Sequence, residues 1–156
     1  MPKQDSAHFH HVHHLLWECY VQLLPIGDEV FAGSDLTLPL AGTLDMIGTW
    51  PGVTVAELSR RTPKTQQAIS QVVAKLERLG YVERRVGPGR GVGLHLTAAG
   101  EAAQADGNSR EELLERRLRE LLGEKAYREL GAQLEQASLR LKRPAHHEGA
   151  RSPARS

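Results

Sequence analysis

Apolar residues recur three and four positions apart along most of the chain, the spacing that lays one face of a helix against a core. From about His8 to Val30 the set Leu15, Leu16, Cys19, Tyr20, Leu23 and Leu24 follows this period and predicts a first helix, which Pro25 and Gly27 are expected to end or bend early. Leu40, Leu44 and Ile47 predict a second helix from Leu38 to Thr49, and Trp50-Pro51-Gly52 then interrupts the chain. Thr54 and Glu57 have capping-box spacing for a short helix to about Arg61, stopped by Thr62-Pro63. Thr65 can cap a fourth helix reaching Leu79, with Ile69, Val72, Val73, Leu76 and Leu79 inward and Gly80 as its left-handed stop.

The period then changes from helical to alternating. Tyr81 to Val86 and Val92 to Leu96, separated by Gly87-Pro88-Gly89-Arg90-Gly91, read as a β-hairpin whose apolar members are Val82, Val86, Val92, Leu94 and Leu96. Thr97 caps a long helix to about Leu122, and Gly123 separates it from a last helix carrying Ala126, Tyr127, Leu130, Leu134, Ala137 and Leu141. Residues 1–7 are polar and residues 143–156 lack large apolar side chains, so both are expected to be disordered. A short capped helix, a tight turn, a second helix and a basic hairpin make a winged helix-turn-helix: a mostly α fold with a small β-hairpin wing. The expected plan is a DNA-binding lobe over 36–97 and a helical dimerisation region over 8–35 and 98–142.

Composition narrows the function. The 156 residues, 40% hydrophobic and 25% charged, allow one compact domain with helical extensions and exclude a large multi-domain enzyme. There are no paired acid/base carboxylates, no Ser/His/Asp pattern, no phosphate-cradling loop and no Cys-x-x-Cys, so neither catalytic residues nor a cofactor are expected. A single cysteine excludes an intramolecular disulfide, and no run approaches the roughly 18 apolar residues of a membrane span. Without a signal-like apolar start, a cytoplasmic protein is expected.

The net charge of +1 hides an uneven distribution. Residues 1–53 carry −5, residues 54–97 carry +5 with eight basic residues against three acidic ones, and residues 98–156 carry +1. Such a block can be an electrostatic footprint for double-stranded DNA or a solvated basic face; the residues around it favour DNA. The face of the fourth helix opposite its apolar stripe presents Gln66, Gln67, Ser70, Gln71, Lys75 and Arg78. Glutamine can pair bidentately with an adenine edge, and Lys64, Ser70 and Lys75 can reach phosphate or base. Arg84 and Arg85 on the first strand and Arg90 at the hairpin tip give a second reach, suited to a narrow minor groove.

Within Thr65–Arg84, the run Ile69-Ser70-Gln71-Val72-Val73-Ala74-Lys75-Leu76-Glu77-Arg78-Leu79-Gly80-Tyr81-Val82-Glu83-Arg84 resembles the recognition helix and Leu-Glu-x-x-Gly-hydrophobic-Val-x-Arg segment of the MarR-type multiple-antibiotic-resistance regulators. Leu96-Thr97-Ala98-Ala99-Gly100 is similar to that family's Leu-Thr-x-x-Gly start of the long helix, and the likeness runs from about Leu36 to Leu122. It implies a homodimer joined by the first and last two helices, with recognition helices in successive major grooves and wings in flanking minor grooves. It also implies a repressor, less often an activator, that answers to a small phenolic or other lipophilic effector, to oxidant or to metal. The family's wing carries Asp-x-Arg; here Arg90 matches the arginine while Pro88 stands where the aspartate belongs, a departure that bears on wing geometry.

The residues support the dimer independently. Leu113, Leu114, Leu118, Leu121, Leu122, Leu130, Leu134 and Leu141 offer more apolar surface than a small winged lobe can cover, so the terminal helices pair across a two-fold axis or fold on each other within one chain. Two-fold pairing would set DNA half-sites roughly 34–36 Å apart. Three features are candidate sensors. His10 and His14, within the cluster His8, His10, His11, His13 and His14, have the helical spacing of metal ligands, though the cluster also suits a polar helix start. Cys19 fits an inert core or interface thiol as well as an oxidant sensor. Trp17, Tyr20 and Trp50 are candidates for a ligand pocket, against a plain packing role. Outside DNA binding, the competing reading is a winged-helix module that docks another protein.

Overall fold

The computed structural model describes residues 11–89 and 91–141. Six helices and one hairpin follow in the order α1 (Val12–Val30), α2 (Leu38–Thr49), α3 (Val55–Arg61), α4 (Gln66–Arg78), β1 (Val82–Val86), β2 (Val92–Leu96), α5 (Ala98–Leu122) and α6 (Glu124–Leu141). The chain divides into two compact units, one through Arg116 and one from Arg117 onward. His8, His10, Arg90 and the expected tails at 1–7 and 143–156 lie outside the described residues.

In the first unit, local chemistry sets the helix ends. The Thr54 backbone N–H and hydroxyl donate to Glu57 Oε2 at 2.7 and 2.9 Å while the Glu57 N–H donates to Thr54 Oγ1 at 3.2 Å, the expected capping box. Hydrogen bonding from Thr54 holds the Glu57 carboxyl below its usual pKa. Thr65 accepts the Ala68 N–H at the start of α4, and Gly80 ends that helix at φ 75°. α1 ends at Val30, the bound its apolar period indicates, so Pro25 does not end it early. A proline ring forfeits one hydrogen bond and clashes with the preceding turn, but here the helix is continuous through it.

The core joins α2, α3, α4 and the hairpin. Leu44, Ile47, Leu58, Ile69, Val73, Leu76 and Leu94 are fully enclosed, and truncating one such leucine or isoleucine to alanine costs about 2–5 kcal/mol. The strands are antiparallel, with Val82 opposite Leu96, Arg84 opposite Leu94 and Val86 opposite Val92. Val53 adds a single antiparallel bridge to Leu94, whose N–H donates to the Val53 carbonyl at 2.9 Å and whose carbonyl accepts from Gly52 N–H at 2.8 Å. Both edges of β2 are thereby occupied at Leu94, and the wing is tied to the segment just before α3. Two helices joined by the short Thr62–Thr65 connection, followed by this ribbon, are a winged helix-turn-helix.

The second unit holds the end of α5 and α6. Glu124–Arg128 at 2.9 Å and the Arg119 guanidinium 4.8 Å from the Tyr127 ring centre organise its polar face. Leu121, Leu122, Leu130, Leu134, Leu139 and Leu141 are all exposed.

Candidate nucleic-acid interface

α4 leaves its reading face open. Gln66, Gln67, Gln71, Lys75 and Arg78 are exposed and Ser70 is half-buried, whereas Ile69, Val73 and Leu76 on the other side are sealed in the core. No acid lies in the first turn, and Lys75 and Arg78 lie in the last. The leading N–H groups of a helix lack intrahelical acceptors, so this end attracts phosphate. Thr65 spends its hydroxyl on the cap, while Lys64 is exposed immediately before it. In the connection from α3, the Thr62 hydroxyl donates to the Leu58 carbonyl at 3.2 Å and accepts the Lys64 N–H at 3.4 Å.

The wing sorts its arginines by strand alternation. Arg84 stands opposite the buried Leu94, so it shares the inner face of the ribbon and its guanidinium meets α4. There Nε donates to Glu77 Oε1 at 2.7 Å, and this bond holds the Arg84 pKa above its usual value. Arg85 takes the outer face and pairs with Glu83, Nε to Oε1 at 2.6 Å. At the open end Val86 and Val92 oppose each other, both exposed, before the loop closes with Gly87 N–H on the Gly91 carbonyl at 2.9 Å.

The sensor candidates are dispersed. Trp17 and Tyr20 are exposed on α1 with ring centres 6.0 Å apart, and Trp50 lies elsewhere, under the Arg61 guanidinium at 4.2 Å. The His13 and His14 rings are 4.2 Å apart, and Cys19 is exposed. Among the described residues no group of three His, Cys, Asp or Glu side chains is arranged to hold a metal ion, and no helix is long and apolar enough to cross a membrane. Two features escaped the sequence reading. The Val53 bridge had only an apolar residue after Gly52 as its signal, and the Arg84–Glu77 pair could have been read from β-alternation beside a buried leucine.

A sequence model of the MarR family matches residues 34–91, the stretch that contains α2, the helix-turn-helix and the first strand and loop of the hairpin. The HTH-type transcriptional repressor Rv2887 of Mycobacterium tuberculosis is 37% identical over 91 residues, 57% of this chain and 66% of the repressor. The crystal structure of that MarR family protein in complex with p-aminosalicylic acid is similar at 30% identity and a TM-score of 0.66, covering 82% of this chain and 98% of that one. The chain belongs to the MarR family. The same protein in complex with DNA is similar at 29% identity and a TM-score of 0.64, covering 81% of this chain and 97% of that one. The curated match thus spans just under two thirds of the repressor's length, whereas the structural match extends over nearly all of it.

Proposed function

We propose that this MarR-family chain is a homodimeric transcription regulator, a repressor in its ground state, that binds a palindromic operator and is released by a small-molecule effector. The observation that carries the reading is the exposed, acid-free face of α4, with Gln66, Gln67 and Gln71 set for base edges and Lys64 and Lys75 for phosphate. Ser70 adds a hydroxyl to that face, and Thr65 orients the helix start. Arg85 and Arg90 supply the wing contact and Arg84 positions the wing. The role is recognition, without catalysis, in the cytoplasm.

Dimerisation follows from uncovered apolar surface. Val12, Leu15, Leu16, Trp17, Tyr20, Val21 and Leu24 are each at least 43% exposed on α1, an exposed apolar surface of the kind that marks an interaction site. A second copy covers them, which gives Trp17 and Tyr20 an interface role. The effector is inferred from the relative crystallised with p-aminosalicylic acid. Its binding would favour a spacing of the two reading helices that no longer fits the half-sites.

The test is an anisotropy titration of DNA from upstream of the chain's own gene at several salt concentrations, with sedimentation equilibrium alongside. Twice the chain mass and affinity falling steeply with salt are expected, because phosphate contacts release counterions. Absent or salt-insensitive binding overturns the reading.

A further inference from the structure

Within the basic block, Arg84 and Arg85 each spend their guanidinium on a carboxylate, Glu77 and Glu83. Arg61 instead lays its guanidinium on the Trp50 indole, 4.2 Å from the ring centre, and both residues are exposed. Glu57, one turn earlier on α3, feels the charge of Arg61, but its Oε2 is taken by the Thr54 cap. A guanidinium stacked in this way commits its face and keeps its in-plane N–H donors, the edge that meets two phosphate oxygens at once. The ring also restricts the long side chain before any anion arrives, so less rotamer freedom remains to be lost on binding.

Both partners are mounted on fastened backbone. Trp50 follows α2, and its N–H donates to the Met46 carbonyl while its carbonyl accepts from the Val53 N–H, each at 3.0 Å. Two residues on, Gly52 abuts the wing so closely that a Cβ at Gly93 of β2 would overlap its backbone. Arg61 is the last residue of α3 and stands four residues before Thr65, which caps α4. The stacked pair is therefore carried by the same two joints that fix the wing and the reading helix. The charge around it has one sign. From Leu58 through Leu76 the chain holds Arg60, Arg61, Lys64 and Lys75 and no acidic residue, and Arg60 and Lys64 are exposed like Arg61. A polyanion with regularly spaced phosphates matches such a strip better than a single small anion does.

We propose that Trp50 and Arg61 form a phosphate clamp on the DNA backbone beside the groove that α4 enters, with Arg61 making the contact and Trp50 acting as its positioning residue. The clamp rests on the DNA-binding reading and adds to it a contact in which no base edge takes part. It therefore contributes equally on operator and on unrelated sequence, unlike the glutamines of α4.

The experiment uses the full chain, titrated by fluorescence anisotropy over a series of salt concentrations with two probes, the duplex from upstream of its own gene and a scrambled duplex. Arg61→Ala, at an exposed position, is expected to weaken both by about tenfold and to reduce the salt slope of both by about one unit. Trp50→Leu should weaken both by about threefold, and Trp50→Tyr, which keeps an aromatic face, should restore the parent affinity. In the Arg61→Ala chain, Trp50→Leu should cost nothing further, whereas a ring needed only for packing would cost the same in either background. Circular dichroism checks the fold of each variant. Parent-like affinity and slope in Arg61→Ala overturn the clamp and leave the reading face of α4 standing. A loss confined to the upstream duplex makes Arg61 a base reader and overturns the clamp as well. An effect of Trp50→Leu that persists in the Arg61→Ala chain overturns the positioning role. A parent chain that binds neither duplex sinks the regulator reading, and the clamp with it.

Discussion

Arg84 on the first strand of the wing and Glu77 on the last turn of α4 form a two-point pair, Nε to Oε1 at 2.7 Å and Nη2 to Oε2 at 3.3 Å. The pair joins the two parts of the lobe proposed to touch DNA. With side chains 45% and 29% exposed it adds little to stability, about 0–1 kcal/mol, so its geometry matters more than its energy. Glu77→Gln should leave the fold nearly as stable while freeing both the wing and a cation. Specific operator affinity should fall, and the salt dependence of non-specific binding should steepen by about one unit as Arg84 becomes available to phosphate. Anisotropy titrations on operator and scrambled DNA measure both; an unchanged ratio and slope would remove the positioning role.

Lys64 and Gln67 should fail differently. Lys64→Ala, before the α4 cap, is expected to weaken all DNA uniformly and to reduce the salt slope by about one unit. Gln67→Ala should cost about 1–3 kcal/mol on the operator with the slope retained, and should relax preference at one base position. Selection from a random DNA pool for each variant separates the two outcomes.

The Thr54–Glu57 box predicts an acid limb in the stability curve. Because the folded Glu57 pKa lies below its unfolded value, near 4.5, its contribution is fully present above that value and is lost as pH falls through the folded pKa. Urea midpoints should therefore drop below about pH 4.5, and Glu57→Gln should flatten part of that drop. Thr54→Ala should cost about 1 kcal/mol at neutral pH. An acid limb identical in parent and Glu57→Gln would place its origin elsewhere.

Gly100→Ala is expected to be strongly destabilising. A Cβ there would overlap the Tyr81 carbonyl oxygen, which already accepts the Thr97 N–H at 3.0 Å. Either the start of α5 or the joint between α4 and β1 must move, at a cost of about 3 kcal/mol. Thermal unfolding followed by circular dichroism tests this, and a melting temperature within a degree of the parent would contradict it.

Much of the fold was legible residue by residue. α2 runs from Leu38 to Thr49 as its apolar period indicates, the caps at Thr54, Thr65 and Thr97 hold, and Gly80 and Gly123 fall at breaks between elements. α1 reaches Val30, the end its apolar period indicates, and Pro25, expected to end or bend it early, does not end it. The site was half legible. The open face of α4 follows from subtracting its apolar stripe, but Arg84 and Arg85 looked alike in sequence and face opposite sides of the wing.

Helix limits, caps, turns and the two strands of the hairpin were determined by the sequence itself, because each depends on hydrogen bonds and side-chain spacing within a few residues of one another. The tertiary structure alone decided that Arg84 meets Glu77, that Val53 bridges Leu94, that Gly100 admits the Tyr81 carbonyl, and that Asp35, Tyr81 and Asp106 surround one cleft. Those relationships arise when separately encoded elements pack on a shared core, and the angle and depth of that packing depend on all the side chains that fill it.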